Sequence, residues 1–460
     1  MSVRSQATRF AKFCGIDRAV MLYIFGRAWS TVAVPVTLFL VGTFLSGEEQ
    51  GFYYTFGNIL SLQIFFELGL VIVILQFASH EKAHLEWTPK WTLKGDSAAK
   101  SRLTSLMVMT LRWYSVAALL SVIFILPAGL YFFGVHQGGA HVTWKVPWMW
   151  MSIVTAFALC VSPIFAVLEG CGLVADVAGI RLSQAIVSNA VLWFALSKHW
   201  GLFAAPMFAT ASLCCGIAWL AIKYRAFLID MLHTRRDGPK IAWLVEIWPM
   251  QWRIALSWLS GYFIFQLFNP VLFAYQGSVE AGRMGMSLAV MQGLSSLAII
   301  WVYTKIPLFG HLIAKQEYAE LDRMFFVSLR RSVIVACLVG MMFCLGVFGL
   351  KAIHHPLSQR ILDPLPFLLL TVVTIIGTVV QSMACYLRAH KQEPYLMPSL
   401  LGGLLIGGST YVLGRYFGAS AIVIGYLAMT IILLPWNVWI FIGKRREWHK
   451  PVGTETTVLV

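Results

Sequence analysis

Seven polar side chains stand inside stretches that are otherwise apolar enough to cross a bilayer: Arg27, Gln63, Glu67, Arg112, Arg253, Gln266 and Asn269. An ionised group facing lipid is costly, so such residues mark an ion path, a proton relay or a ligand site by default. Glu67 is the sharpest case. It interrupts LSLQIFFELGLVIVILQF, Leu60 to Phe77. A carboxylate at that depth needs a cation or a proton, and Arg27 is the expected partner. Glu67 lies about ten residues, roughly 15 Å, from one end of its span, and Arg27 about eight residues, roughly 12 Å, from the same side of the preceding span. Consecutive spans are usually neighbours. Two roles are open for this pair: a lock between two helices, or two walls of a polar cavity. The default meaning of intramembrane charge favours the cavity.

The remaining positions carry weaker signals. Arg253 in WPMQWRIALSW and Arg112 in TLRWYS both stand beside aromatic residues. A guanidinium near a span end can snorkel to the interface with such aromatics as anchors. Snorkelling and cavity roles stay open for Arg253, and snorkelling is preferred for Arg112. Gln63, Gln266 and Asn269 add neutral donors and acceptors. Pro270, after Asn269, removes a backbone donor and loosens its helix, and Pro35 and Pro163 do the same in other spans.

The elements that must position these groups are transmembrane helices. The chain is 59% hydrophobic and 12% charged, where a soluble protein carries about 25% charged residues. Apolar runs of roughly 20 residues recur along it. They mark about twelve spans: Ala19–Leu45, Phe52–Phe77, Leu103–Gly134, Val146–Leu168, Val177–Leu196, Leu202–Ile222, Pro249–Tyr275, Gly285–Tyr303, Val333–Leu350, Leu365–Leu387, Leu396–Phe417 and Ala421–Ile442. The expected fold is therefore an all-α polytopic membrane protein. Of the 35 lysines and arginines, 26 fall on the side of the termini, six on the other, and Arg27, Arg112 and Arg253 within spans. The positive-inside rule makes both termini cytoplasmic. No cleavable signal peptide is expected, because no short apolar core precedes a small-residue cleavage site. The net charge of +15 is thus mainly a topology signal, attractive to anionic headgroups rather than to nucleic acid.

Twelve spans divide into two six-helix lobes, residues 1–230 and 231–460. The first two spans of each half are joined by similar turns, GEEQGFYY (Gly47–Tyr54) and GSVEAGRMG (Gly277–Gly285), each with an acid two residues before a glycine. Parallel repeats about an axis along the membrane normal would give this arrangement. The loops His80–Arg102 and Tyr224–Trp248 are too short for a separate domain. Thr304–Met324 has apolar residues at helical spacing and reads either as an interfacial helix or as an extension of the next span.

Several chemistries are unsupported. There is no Walker A sequence, no HExxH or paired Cys/His set, and no nucleophile elbow. No cofactor, metal or catalytic residue is expected. His354 and His355 read as a solvated surface pair. The cysteines, including Cys14 and Cys171, read as small apolar fillers.

Two stretches, GEEQGFYYTFGNILSLQIFFELGL and EIWPMQWRIALSWLSGYFIFQLFNPVLFAYQGSVEAGRMGMSL, resemble the oligosaccharide (O-antigen-type) flippase group of the multidrug/oligosaccharidyl-lipid/polysaccharide exporter superfamily. By span number and loop pattern the resemblance covers nearly the whole chain. It implies two pseudo-symmetric lobes around a central, often cationic cavity that opens alternately to either side. The family's turn glycine maps onto Gly51 and its acid-Leu-Gly pattern onto Glu67-Leu68-Gly69, with glutamate where relatives commonly have aspartate. The implied substrate is a polyprenyl-pyrophosphate carrying a short oligosaccharide, moved to the outer leaflet of a bacterial inner membrane for surface polysaccharide synthesis. Membrane lipids and glycan-assembly enzymes are the implied partners. Arginine forks suit its phosphates, and amides suit its sugars. The driving force would be the membrane potential, or proton or sodium exchange at Glu67. An ion-coupled multidrug exporter, a membrane glycan polymerase or ligase, and a non-transporting scaffold are the alternatives. An enzyme would need acid/base residues near the outer face, and the short external segments offer few.

Overall fold

The structure, a computed structural model, describes residues 18–137, 142–233, 238–390 and 392–449. Of the residues singled out above, Cys14 lies outside them, as do seven of the basic residues counted on the side of the termini: Arg4, Arg9, Lys12, Arg235, Arg236, Lys391 and Lys450.

The chain starts with α1 (Arg18–Phe44), which stays helical through Pro35. The second span is split into α2 (Gly47–Leu60), a 3-10 turn (Ser61–Gln63), α3 (Ile64–Glu67) and α4 (Leu70–Lys82). Ser46 and Glu49 form a capping box at the start of α2, which satisfies two otherwise orphaned N–H groups. A hairpin of β1 (Leu85–Trp87) and β2 (Leu93–Gly95) follows, antiparallel with Trp87 opposite Leu93. Asp96 caps α5 (Ser97–Leu120) by accepting from the N–H groups of Ala98 and Ala99. A π turn leads to α6 (Leu126–His136), and then come α7 (Lys145–Gly170), α8 (Val174–Ser197), α9 (Ala204–Lys223) and the short α10 (Arg225–His233). A second π turn (Trp243–Ile247) opens α11 (Trp248–Phe265), followed by α12 (Phe268–Gln276), α13 (Ser278–Ala298), α14 (Ile300–Tyr303), α15 (Ile306–Ala314), α16 (Tyr318–Ala352), α17 (Pro364–Ala389), α18 (Leu396–Tyr416) and α19 (Ala419–Trp448).

Eleven helical segments among the described residues are long and apolar enough to span a membrane, and twelve if α2–α4, bent by 48°, counts as one. Each expected span coincides with one of them. Many large apolar side chains on the helix bodies point outward, such as Phe25, Leu119, Phe157 and Leu338, as a hydrocarbon solvent allows. Pro163 leaves α7 continuous, whereas the α11–α12 junction breaks just before Asn269-Pro270.

The helices cluster into two compact units, Met1–Tyr262 with Gly277–Gly282, and Phe263–Gln276 with Arg283–Val460. In the first unit, α8 packs against α1 and α9, and α7 packs against α4, α5 and α9. Its core runs from Leu70, Val73 and Ile74 through Tyr114 to Phe227 and Ile247. The hairpin docks on this unit: the Trp87 indole N–H donates to the Cys171 carbonyl at 2.9 Å, and its ring meets Phe227 at 5.4 Å. The two turns with matching sequence also meet within this unit. The buried Gln50 side chain donates to the Gly282 carbonyl at 2.8 Å. A Cβ on Gly51 would collide with the Ser278 carbonyl, so the close approach requires glycine there.

In the second unit, α19 packs against α17 and α18, and α16 against α17. Leu312, Leu321 and Phe325 are buried in its core with Tyr386 and Phe441. The Thr304–Met324 segment thus holds the separate short helix α15 and the start of α16, packed on this core.

Candidate functional site

The break in the second span is the centre of the candidate site. Glu67 is the last residue of α3. Leu68 (φ 51°) and Gly69 (φ 65°) then both turn left-handed before α4 begins. A glycine just past a helix end is the usual way to enter that conformation. Here the preceding leucine adopts it too, so the backbone bends and does not simply pause. Gly69 also sits against α11: a Cβ there would lie 2.6 Å from Ile254 Cγ2.

Aromatic residues fix the end of α3. The Trp113 indole N–H donates to the Phe66 carbonyl at 3.1 Å, satisfying one of the acceptors that a helix C-terminus leaves open. Trp113 stacks on Trp243, with ring centroids 5.0 Å apart. Phe65 packs edge-on against Tyr262 at 5.7 Å. Tyr114, next to Trp113 on α5, is fully buried. Trp243 is held in turn from the membrane edge. Arg102 joins Glu81 at 2.8 Å and Glu246 at 2.6 Å, tying the ends of α4 and α5 to the π turn that carries Trp243.

The expected Arg27–Glu67 ion pair does not form. Among the described residues no lysine or arginine lies within ion-pair distance of Glu67. The reason is packing order. α1 lies chiefly along α8 and not along the helices of the second span. Leu22 approaches Gly179, Trp29 packs on Trp193 at 5.8 Å, and the Trp193 N–H donates to Thr37 at 2.9 Å. Arg27, half-buried, is carried on the same helix.

Gln63 is half-buried and stands four residues before Glu67, on the same helix face. Arg253 is exposed, its guanidinium 5.5 Å from the Trp252 ring centroid, and it directly precedes the Ile254 that touches Gly69. Arg112 is exposed on α5 among the outward-facing Val116 and Leu119, the placement of a snorkelling side chain. Gln266, half-buried, and Asn269, buried, flank the break before α12 in the second unit. Gln63, Glu67 and Arg253 thus gather around the first break, while Arg27 and Arg112 lie elsewhere in the same unit.

The electrostatics at Glu67 are unusual. A helix C-terminus carries roughly half an elementary negative charge, and here a carboxylate sits at that end. Two negative charges meet where a cation would be the favourable group. Such a locus attracts a proton or a small cation, and unwound carbonyls at half-helix ends serve that purpose in transporters. The surrounding aromatic faces add attraction for cations. The clamp residues Trp113, Trp243 and Ile254 carried no sequence signal of their own. The left-handed turn was foreshadowed by Gly69 following the acid.

No family model matches the sequence, and no curated protein matches it. The fold has solved counterparts. The chain is similar to a multidrug resistance MATE family transporter of the MOP superfamily in an inward-facing conformation, with TM-score 0.65 and 13% identity over 91% of this chain and 96% of that one. It is similar to the MATE multidrug transporter DinF-BH, with TM-score 0.63 and 13% identity over 94% and 97%. It is also similar to the lipid II flippase MurJ in an inward closed conformation, with TM-score 0.55 and 11% identity over 92% and 90%. The chain has the fold shared by these MOP superfamily transporters.

Proposed function

We propose that the protein is an alternating-access transporter that moves a polyprenyl-pyrophosphate-linked oligosaccharide to the outer leaflet of the bacterial inner membrane, for surface polysaccharide synthesis. The observation that carries the transport reading is Glu67, a carboxylate with no cationic partner among the described residues, at the negative end of a broken membrane helix. A group so placed gains by taking up a proton or sodium ion. Gain or loss of that charge then biases the two arrangements of a bent helix, which is how a ligand shifts a conformational equilibrium. The substrate reading is supported by the flippase resemblance of the two stretches quoted above and by the excess of intramembrane arginine. In this reading Arg27 and Arg253 take the pyrophosphate, and Gln63, Gln266 and Asn269 take the sugars. Arg112 is the weakest member of the set, given its outward placement.

A second reading, an ion-coupled multidrug exporter of the same fold, is favoured by one specific feature. The helix end that carries Glu67 is lined by Phe65, Trp113 and Tyr262, and among the described residues no guanidinium pairs with the carboxylate, an environment suited to a cationic aromatic solute.

The deciding experiment labels lipid-linked oligosaccharide on the outer face of intact spheroplasts with and without the protein. Wild type should expose the precursor, whereas its absence, Arg27→Ala or Glu67→Gln at normal protein levels should retain it inside. If the precursor crosses in all cases and only dye efflux is lost, the multidrug reading replaces the first. In vesicles, Glu67→Gln should remove the dependence of transport on a proton or sodium gradient. Indifference of wild-type transport to any ion gradient would overturn the role given to Glu67.

A further inference from the structure

A second polar cluster lies away from the helix break, where α1 and α8 begin and α9 ends. Asp176, in the first turn of α8, pairs with Lys223 at 2.9 Å and with Arg18 at 3.4 Å. It also accepts from the Tyr224 hydroxyl at 3.0 Å. These groups line one end of a cleft of about 330 Å³, whose walls include Met21, Phe25 and Trp219. Two cations against one carboxylate leave a net positive charge. The cations are not equally committed. The Lys223 ammonium is fixed by Asp176 and by the Trp91 ring, 4.5 Å away, yet it carries three donors. The Arg18 side chain is 72% exposed. Both have donors to spare toward the cleft. The wall is outward-facing apolar surface, with Phe25 57% exposed and Met21 44%, on helix faces that read as lipid-facing.

We propose that this cleft binds an anionic phospholipid, its phosphate between Arg18 and Lys223 and its acyl chains along Met21, Phe25 and Trp219. A net charge of one suits a singly charged phosphodiester. A cationic end joined to an apolar wall suits an amphiphile, because a soluble anion gains nothing from the wall. The count of basic residues puts this end of the helices at the cytoplasmic leaflet, where anionic headgroups are attracted to juxtamembrane cations. The tryptophan hairpin gains a role here. Trp91 at its tip orients Lys223, so the loop between the second and third spans completes the site. The second unit offers a contrast. Its Asp322 takes two hydrogen bonds from Arg445 at 2.8 and 2.6 Å and one from Tyr386 at 2.9 Å, and the His449 ring beside it stacks on Tyr318 at 4.6 Å. There the arginine fork is spent on the carboxylate.

The test uses the full chain, delipidated in detergent, with added phosphatidylglycerol, phosphatidylcholine or inorganic phosphate, and bound lipid read by native mass spectrometry. Phosphatidylglycerol should be retained in preference to phosphatidylcholine. Lys223→Ala should weaken it about fivefold, the worth of one interfacial cation. Arg18→Ala, at an exposed side chain, should weaken it in the same direction. Asp176→Asn should strengthen it, because removing the carboxylate releases both cations to the lipid. That opposite sign separates a ligand site from an internal ion-pair network. If Asp176→Asn and Lys223→Ala both lower the melting temperature while lipid retention is unchanged, or if phosphatidylcholine binds equally, the proposal is overturned. Displacement of phosphatidylglycerol by an equal concentration of inorganic phosphate would also overturn it, and would make the cleft a soluble phosphate site.

Discussion

The helix break beside Glu67 and the one beside Asn269 are made by different means. Between α3 and α4, two consecutive left-handed residues, Leu68 and Gly69, bend the path by 48°. Between α11 and α12, Pro270 cannot donate to the Gln266 carbonyl, and the segment Gln251–Gln276 still runs as one span. A missing hydrogen bond loosens a helix, whereas a pair of reversed dihedrals redirects it. The chemistry differs as well. The bent break carries the carboxylate of Glu67 at its negative end, and the straight one carries the neutral amides of Gln266 and Asn269. The left-handed geometry and the carboxylate coincide, as they do where strain serves function.

The bent break is most vulnerable at Gly69. Gly69→Ala should lose about 1–2 kcal/mol to the left-handed backbone and about 1–3 kcal/mol more to the clash with Ile254. Thermal unfolding in detergent measures the loss. Ile254→Ala in the same chain should recover the steric part and leave the backbone part, a double-mutant cycle with a defined remainder. Full recovery would mean that packing, not the dihedral, holds the bend. Pro270→Ala is the matched change at the straight break and should shift stability by about 1 kcal/mol, since one hydrogen bond contributes about 0.5–1.5 kcal/mol.

Trp113→Phe comes between these two in size. It keeps the ring over Trp243 and removes the donor to the Phe66 carbonyl, leaving that acceptor unmet at a cost of about 1–2 kcal/mol. If the aromatic clamp orients Glu67, this variant should also reduce ion-coupled transport more than Pro270→Ala does. Equal effects on transport would dissolve the distinction between the two breaks.

How much of this was legible in the sequence follows from the range of the interactions. Apolar run length depends on neighbouring residues alone, so the spans were readable. The close meeting of Gly51 with the Ser278 turn had a trace in the two matching glycine turns, because each needed a backbone without a side chain. Glu67 stood out because its cost in lipid is a property of one residue. The failure of the expected pairing was not legible: Arg27 has the right depth, but depth says nothing about which helix α1 lies along, and the Trp29–Trp193 and Leu22–Gly179 contacts send it to α8. The clamp of Trp113, Trp243 and Ile254 joins segments far apart in the chain, so no local pattern announces it. The hairpin was hidden for another reason. Its strands are three residues each, and its stability comes from Trp87 and Trp91 docking on other helices.

The smallest expected difference between the two breaks is in their response to pH, because the aromatic clamp at the bent one is braced by a titrating ion pair, Arg102 with Glu246. The Arg102 side chain, hydrogen-bonded to Glu246, and then the Ala242 N–H hold the Glu246 carboxyl below the ordinary carboxylate value of about 4.5. A depressed carboxylate contributes stability above its unfolded value and loses it as pH falls through the folded one. The brace on Trp243 should therefore be intact at neutral pH and fade below about pH 4.5. The pair is partly exposed, so solvent screening limits its worth to about 0.5 kcal/mol. An acid titration followed by tryptophan fluorescence should show a shift in wild type that Trp243→Phe removes. Glu246→Gln should show the acid-form signal already at neutral pH. Salt should shrink the wild-type shift, since exposed charges are screened over about 10 Å at 0.1 M. Pro270→Ala should leave the titration untouched, because nothing at the straight break depends on that carboxylate.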